Sequence, residues 1–104
     1  MNAKFANLVL FSDVKPYEIV RVVSDKTIEI REMKVERDPS WKPEFVAGGF
    51  VAHCKNQNEQ KHIFKVDEEN PVIRARLLKD GKFHSAYGKH VLADEPRYFY
   101  DYNF

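Results

Sequence analysis

The sequence predicts a single all-β domain, and three observations carry that expectation. Short runs rich in β-branched and aromatic residues recur along the chain with period-two alternation. Asp80-Gly81 stands between two of these runs, and Asp-Gly in that setting is a strong hairpin signal. No stretch shows the 3.6-residue apolar repeat of an amphipathic helix.

Taken in order, residues 8–11 (Leu-Val-Leu-Phe) read as a first strand, broken by Ser12-Asp13 and by Lys15-Pro16. Residues 17–23 and 27–33 read as a hairpin about a turn at Ser24-Asp25-Lys26. Ile28 and Ile30 are expected to face the core and Thr27, Glu29 and Arg31 the solvent, because successive strand side chains point to opposite faces. The pattern lapses over residues 37–49, punctuated by Pro39, Pro43 and Gly48-Gly49, and this stretch reads as a long ordered loop. It carries Trp41 and Phe45, so it is expected to fold back onto the domain; loops of this length tend to be functional or mobile.

Residues 50–55 and 60–66 read as two paired strands joined by the polar loop Asn56-Gln57-Asn58-Glu59. After a turn at residues 67–71, residues 72–78 alternate Ile73, Ala75 and Leu77 with Arg74 and Arg76. The Asp80-Gly81 turn is expected to be of type I′, with residues 83–87 as the return strand, Gly88 as a bend and residues 90–93 as one more strand. Residues 97–104 hold five aromatics and read as a closing strand with one ring face inward and Tyr98 outward. About seven or eight strands with hairpin connections indicate a small antiparallel bent sheet or SH3-like barrel. At 104 residues one core suffices, with a radius of gyration of about 13 Å if the globule is compact.

Composition narrows function by exclusion. The 17 basic and 16 acidic residues leave a net charge of +1, so no large field gathers nucleic acid or anionic lipid. Cys54 is the lone cysteine and forms no internal disulfide, which fits a reducing compartment. Residues 1–11 lack the apolar run of a signal peptide, and no segment approaches the roughly 20 apolar residues of a membrane span. The expected setting is the cytoplasm, with no membrane partner.

Candidate chemistry is sparse. His53 and Cys54 are adjacent and point to opposite faces of a strand, so they do not share one ion without a bulge. His53 and His62 lie on strands expected to pair and are the candidates for a metal, yet no CxxC, HxH or HExxH spacing accompanies them. Cys54 reads as a small buried hydrophobe before a nucleophile. No GxSxG signature is present, Gly48-Gly49 lacks the remainder of a phosphate loop, and nothing asks for a cofactor. Arg74 and Arg76 share a strand face near Lys79 and Lys82, and with Tyr98, Tyr100 and Tyr102 they form the basic-plus-aromatic set that small barrels use for single-stranded nucleic acid. The plainer reading is a solvated face whose arginines pair across strands with residues such as Glu29 and Glu32. Asn56-Gln57-Asn58-Glu59-Gln60 reads as a hydrophilic loop, equally suited to protein binding.

Three segments carry a resemblance: Phe11-Ser12-Asp13 leading into Pro16-Tyr17-Glu18-Ile19-Val20, then Arg76-Leu77-Leu78-Lys79-Asp80-Gly81-Lys82-Phe83, and the ending Arg97-Tyr98-Phe99-Tyr100-Asp101-Tyr102-Asn103-Phe104. They resemble a set of small uncharacterised bacterial and phage proteins that close with a Tyr-Tyr-Asp-Tyr-Ser/Asn-Phe tail. Gly48-Gly49-Phe50 and the Asn56–Gln60 stretch fit as well, while Phe83 stands where Trp is expected. The resemblance implies a bacterial or phage setting and brings no activity with it. The leading functional expectation is a non-enzymatic accessory domain that binds another macromolecule, a protein first, with Arg74, Arg76, Tyr98, Tyr100 and Trp41 as the binding candidates. A nucleic-acid-binding barrel is the alternative, and a small metal-dependent or hydrolytic enzyme the third.

Overall fold

The computed structural model describes residues 2–48 and 51–103. Its strands run β1 (Phe5–Val9), β2 (Val14–Lys15), β3 (Tyr17–Ser24), β4 (Thr27–Glu32), β5 (Lys34–Arg37), β6 (Phe45–Gly48), β7 (Val51–Cys54), β8 (His62–Lys65), β9 (Ile73–Leu77), β10 (Phe83–Ser85) and β11 (Gly88–Ala93). Among the described residues the one helical turn is a 3-10 turn at Gln57–Glu59. The chain is therefore all-β, as its alternation predicts.

Seven strands make one antiparallel sheet in the order β11-β10-β9-β4-β3-β1-β2, and β11 returns to pair with β1. That pairing runs from Phe5 opposite Ala93 to Val9 opposite Lys89, closing a six-stranded barrel with β2 as an extra strand. Ile28 and Ile30 are 0% exposed at its centre, beside Ala6, Leu8, Tyr17, Ala75 and Phe83. Two of these are alanines, whose small side chains let opposite walls of a narrow barrel approach. Register shifts at Ile19/Arg21 and Val22/Ser24 mark irregularities in β3, where an extra residue bends the strand and deepens its twist.

Two polar side chains are buried in this barrel, and both are satisfied. His90 donates from Nδ1 to the Ala6 carbonyl at 2.9 Å, so its Nε2 accepts from the Ser85 hydroxyl at 2.7 Å. Burial holds the His90 imidazolium below its usual pKa, keeping the ring neutral. Asn7 donates to the Glu95 carbonyl at 3.0 Å and accepts from the Arg97 amide at 2.9 Å, so β1 grips the start of the tail.

The strands between β4 and β9 form a second unit. β5 pairs with β8 and β6 with β7, as two separate two-stranded ribbons. This overturns the expected hairpin of residues 50–55 with 60–66. The assumed loop over residues 37–49 is likewise corrected: β5 ends at Arg37 and β6 begins at Phe45, so the connection spans only residues 38–44. Each lobe strand has only four residues, too short a run for alternation to declare itself, and β5 and β8 pair across a gap of more than twenty residues. Gly49, Phe50 and Phe104, which figured in those expectations, lie outside the described residues. The radius of gyration is 15.7 Å and the long axis 50 Å, so the chain is more elongated than a compact globule of this length.

One turn and the tail differ from expectation. Gly81 takes φ +78°, but no described non-glycine residue has positive φ, which excludes type I′. The Gly81 amide donates to the Leu78 carbonyl and the Leu78 amide to the Lys82 carbonyl, so the loop is a tight turn completed by a left-handed glycine. The tail is not a closing strand. Only Phe99 bridges to Val14, and β11 does the closing, beginning already at Gly88.

Candidate functional site

The lobe takes its shape from side chains that bond to the main chain. Asn56 donates to the Lys42 carbonyl at 2.8 Å and accepts from the Glu44 amide at 2.8 Å, tying the 38–44 connection down. Trp41, 5% exposed, donates its indole N–H to the Asn56 carbonyl at 3.3 Å. The tail is then strapped across. Asn103 accepts from the Cys54 amide at 2.7 Å and donates to its carbonyl at 2.9 Å, mimicking a strand neighbour. Gln57 accepts from the Tyr102 amide, Asp13 accepts from the Asp101 amide, and Gln60 both accepts from and donates to the backbone of Tyr100. The polar stretch Asn56–Gln60, read as a loop for solvent or a partner, is thus a clamp for the protein's own tail.

This strap lays aromatic rings onto one face of the β5–β8 ribbon. Val35 stands opposite Phe64 and Arg37 opposite His62. Tyr98 meets the His62 ring edge-on at 4.6 Å, and Tyr102 lies 5.9 Å from Trp41, 6.0 Å from Phe45 and 4.8 Å from Tyr100. Val35, Arg37, His62, Tyr98 and Tyr102 line an open cleft of about 150 Å³. An engineered apolar cavity of about that size holds benzene.

The protonation of His62 follows from Gln60. Tyr100 fixes the Gln60 amide, with Oε1 toward an N–H and Nε2 toward a carbonyl. Oε1 is then an acceptor, so His62 donates to it from Nε2 at 3.0 Å, leaving Nδ1 as a buried acceptor with no protein partner. Burial lowers the His62 pKa and keeps it neutral. Burial, reinforced by Tyr102 and Asp13, raises that of Tyr98. The cavity's charge is therefore carried by Arg37, which has no carboxylate within salt-bridge reach among the described residues. Its lining thus sets one cation beside aromatic rings.

The binding candidates separate in space. Arg74 and Arg76 lie exposed on the outer face of β9 in the barrel. Arg74 reaches Glu29 at 3.4 Å, and Glu29 also holds Arg21 at 2.8 Å. These two cations keep the Glu29 carboxyl below its usual pKa, the Arg21 contact first. Arg76 has no such partner among the described residues and sits in register with His84. Tyr98, Tyr100 and Trp41 belong to the lobe, so the basic strand and the tyrosines do not form one surface. Trp41 is enclosed and offers no face to a ligand. Tyr98 is half-buried against His62 and not outward as expected, whereas Tyr100 is 47% exposed.

His53 and His62 stand on strands that do not pair, and no group of three metal-ligating side chains occurs among the described residues. Cys54 is buried with its thiol toward Asn56 Oδ1. Arg37 and the strapping role of Asn103 were not singled out from sequence, and Gln60 was read only within a hydrophilic loop. The alternation of Val35 and Arg37 was the available signal, hidden by treating Arg37 as the start of a loop. No described helix is long and apolar enough to cross a membrane. No protein-family model, curated protein or solved structure matches this chain.

Proposed function

We propose that this chain is a non-enzymatic accessory domain, of bacterial or phage origin and cytoplasmic, that binds another protein through its open lobe. The observation that supports this reading is the contrast in edges. Barrel closure leaves the six closed strands with partners on both sides, while among the described residues each ribbon of the lobe keeps unpaired strand edges. Unpaired edges are where an extended segment of a partner adds as a further strand. Around them stand exposed Phe45, Val46, Ile63 and Tyr100, and the Arg37 cavity offers a cation beside aromatic rings for an acidic group of that segment.

The test is capture on the immobilised protein from a bacterial lysate, with and without nuclease treatment, across a salt series. A specific partner protein should be retained by wild type and by Arg76→Ala, and lost by the Arg37→Ala/Tyr100→Ala double variant. Capture that is abolished by nuclease, falls steeply with salt and depends on Arg76 would instead mark a nucleic-acid ligand, since phosphate contacts release counterions.

A further inference from the structure

The barrel carries a second cavity, of about 210 Å³, lined by Tyr17, Glu32, Asn70, Pro71, Ile73 and Tyr87. Its walls are fixed. Tyr17 and Glu32 face each other in the β3–β4 register, with the Tyr17 hydroxyl 3.5 Å from Glu32 Oε1. The Tyr17 ring rests at right angles on buried His90, centroids 5.0 Å apart. Asn70 donates to the Glu32 carbonyl at 3.0 Å and holds the 67–71 turn against the end of β4. Tyr87 stands in the β10–β11 turn, 61% exposed, with its amide bonded to Ser85 Oγ.

The charge of this cavity is carried by Glu32. Glu18, Glu29, Glu36 and Glu44 each have an arginine or lysine within salt-bridge distance. Among the described residues Glu32 has none, although its charge is felt by Tyr17, whose pKa is pushed up to about 12 by burial and by Glu32. The site thus combines an uncompensated carboxylate, two tyrosine rings and the apolar Pro71 and Ile73. A single carboxylate without other ligands is a poor cage for a metal ion, which prefers several oxygen donors. Tyrosine rings and one carboxylate suit instead a large, weakly hydrated cation, attracted by the ring quadrupole and by the charge.

We infer that this cavity binds an organic cation, an alkylammonium headgroup of about choline size, with Glu32 as counter-ion, exposed Tyr87 as its aromatic wall and almost fully buried Tyr17 at its floor. The site is separate from the lobe and does not depend on the protein-binding reading. The same headgroup chemistry is offered by a free metabolite and by a methylated lysine side chain, and the experiment distinguishes them.

Labelled whole chain is titrated, with amide shifts as readout, using choline, capped Nε-trimethyl-lysine and 3,3-dimethylbutan-1-ol, the neutral isostere of choline. Both cations should give saturable shifts at Tyr17, Asn70 and Tyr87, and the alcohol should bind about tenfold more weakly or not at all. Glu32→Gln should raise the choline Kd about tenfold, and Tyr87→Ala, at an exposed position, several-fold. Tighter binding of choline assigns the site to a free metabolite; tighter binding of the capped lysine assigns it to a modified protein. The inference is overturned if the alcohol binds as well as choline, if choline gives no saturable shift, or if folded Glu32→Gln and Tyr87→Ala both keep wild-type affinity.

Discussion

In the barrel every one of β1, β3, β4, β9, β10 and β11 is flanked by two strands, whereas in the lobe each strand of β5–β8 has one. The barrel encloses Ile28, Ile30 and Phe83 and draws its stability from apolar burial, which is non-directional and tolerant of detail. The lobe has Trp41 and Cys54 buried, and otherwise depends on amide side chains, Asn56, Gln57, Gln60 and Asn103, bonded to backbone. Such bonds contribute about 1 kcal/mol each, but a buried group left unmade costs more. The lobe is therefore expected to open locally at a free energy well below that of global unfolding. The proposed addition of a partner strand to the lobe would draw on that difference.

The largest effect is expected in the barrel. Ile30→Ala should cost about 2–5 kcal/mol, because the cavity it leaves is walled by rigid strands. Urea denaturation should show the loss, and amide exchange should rise in barrel and lobe together. Asn56→Ala comes next, at about 1–3 kcal/mol, since it removes two side-chain bonds, to the Lys42 carbonyl and from the Glu44 amide, that pin the 38–44 connection. Its signature is selective: Trp41 fluorescence should shift and lobe amides exchange faster while barrel amides keep their protection. Equal loss of protection in both regions would show a single cooperative unit and break the comparison.

Gly81→Val should destabilise by about 1 kcal/mol or more, because a β-branched residue tolerates φ +78° badly. An unchanged melting temperature would refute the turn. The smallest effect is on pH dependence. His90 and His62 titrate lower in the folded chain than in the unfolded one, so the unfolded chain binds more protons. Stability is thus complete above about pH 6.5 and declines as the pH falls through the depressed folded values. Melting temperature should drop on that acid side, and His90→Gln should flatten the slope.

The barrel was legible in sequence because its cues are local and periodic. Ile28 and Ile30 alternate with charged residues, Ile73, Ala75 and Leu77 alternate with arginines, and Gly81 marks its own turn. The lobe was not, because β5 and β8 are four-residue strands separated by an intervening ribbon, and pairing across such a gap leaves no imprint on spacing. The tail was legible as ordered and illegible in mechanism. Its aromatics announced burial, but the straps run through Asn103, Gln57 and Gln60, residues whose composition reads equally well as a solvated loop. Neither cavity was foreseen, since each gathers residues from at least three separate segments.

The seam between β1 and β11 also sets a timetable for the nascent chain. Asn7 and its partner Glu95 are 88 positions apart. At about 5–20 residues per second, a ribosome needs roughly 4–18 seconds to deliver the second after the first. Throughout that interval the margin of β1 that will meet β11 has no strand to take, and Ala6 and Leu8 have no complete core to enter. Folding of the barrel is consequently a late and nearly all-or-none event during synthesis, and β1 is the segment most exposed to chaperones, or to a second nascent chain, before the circle is complete.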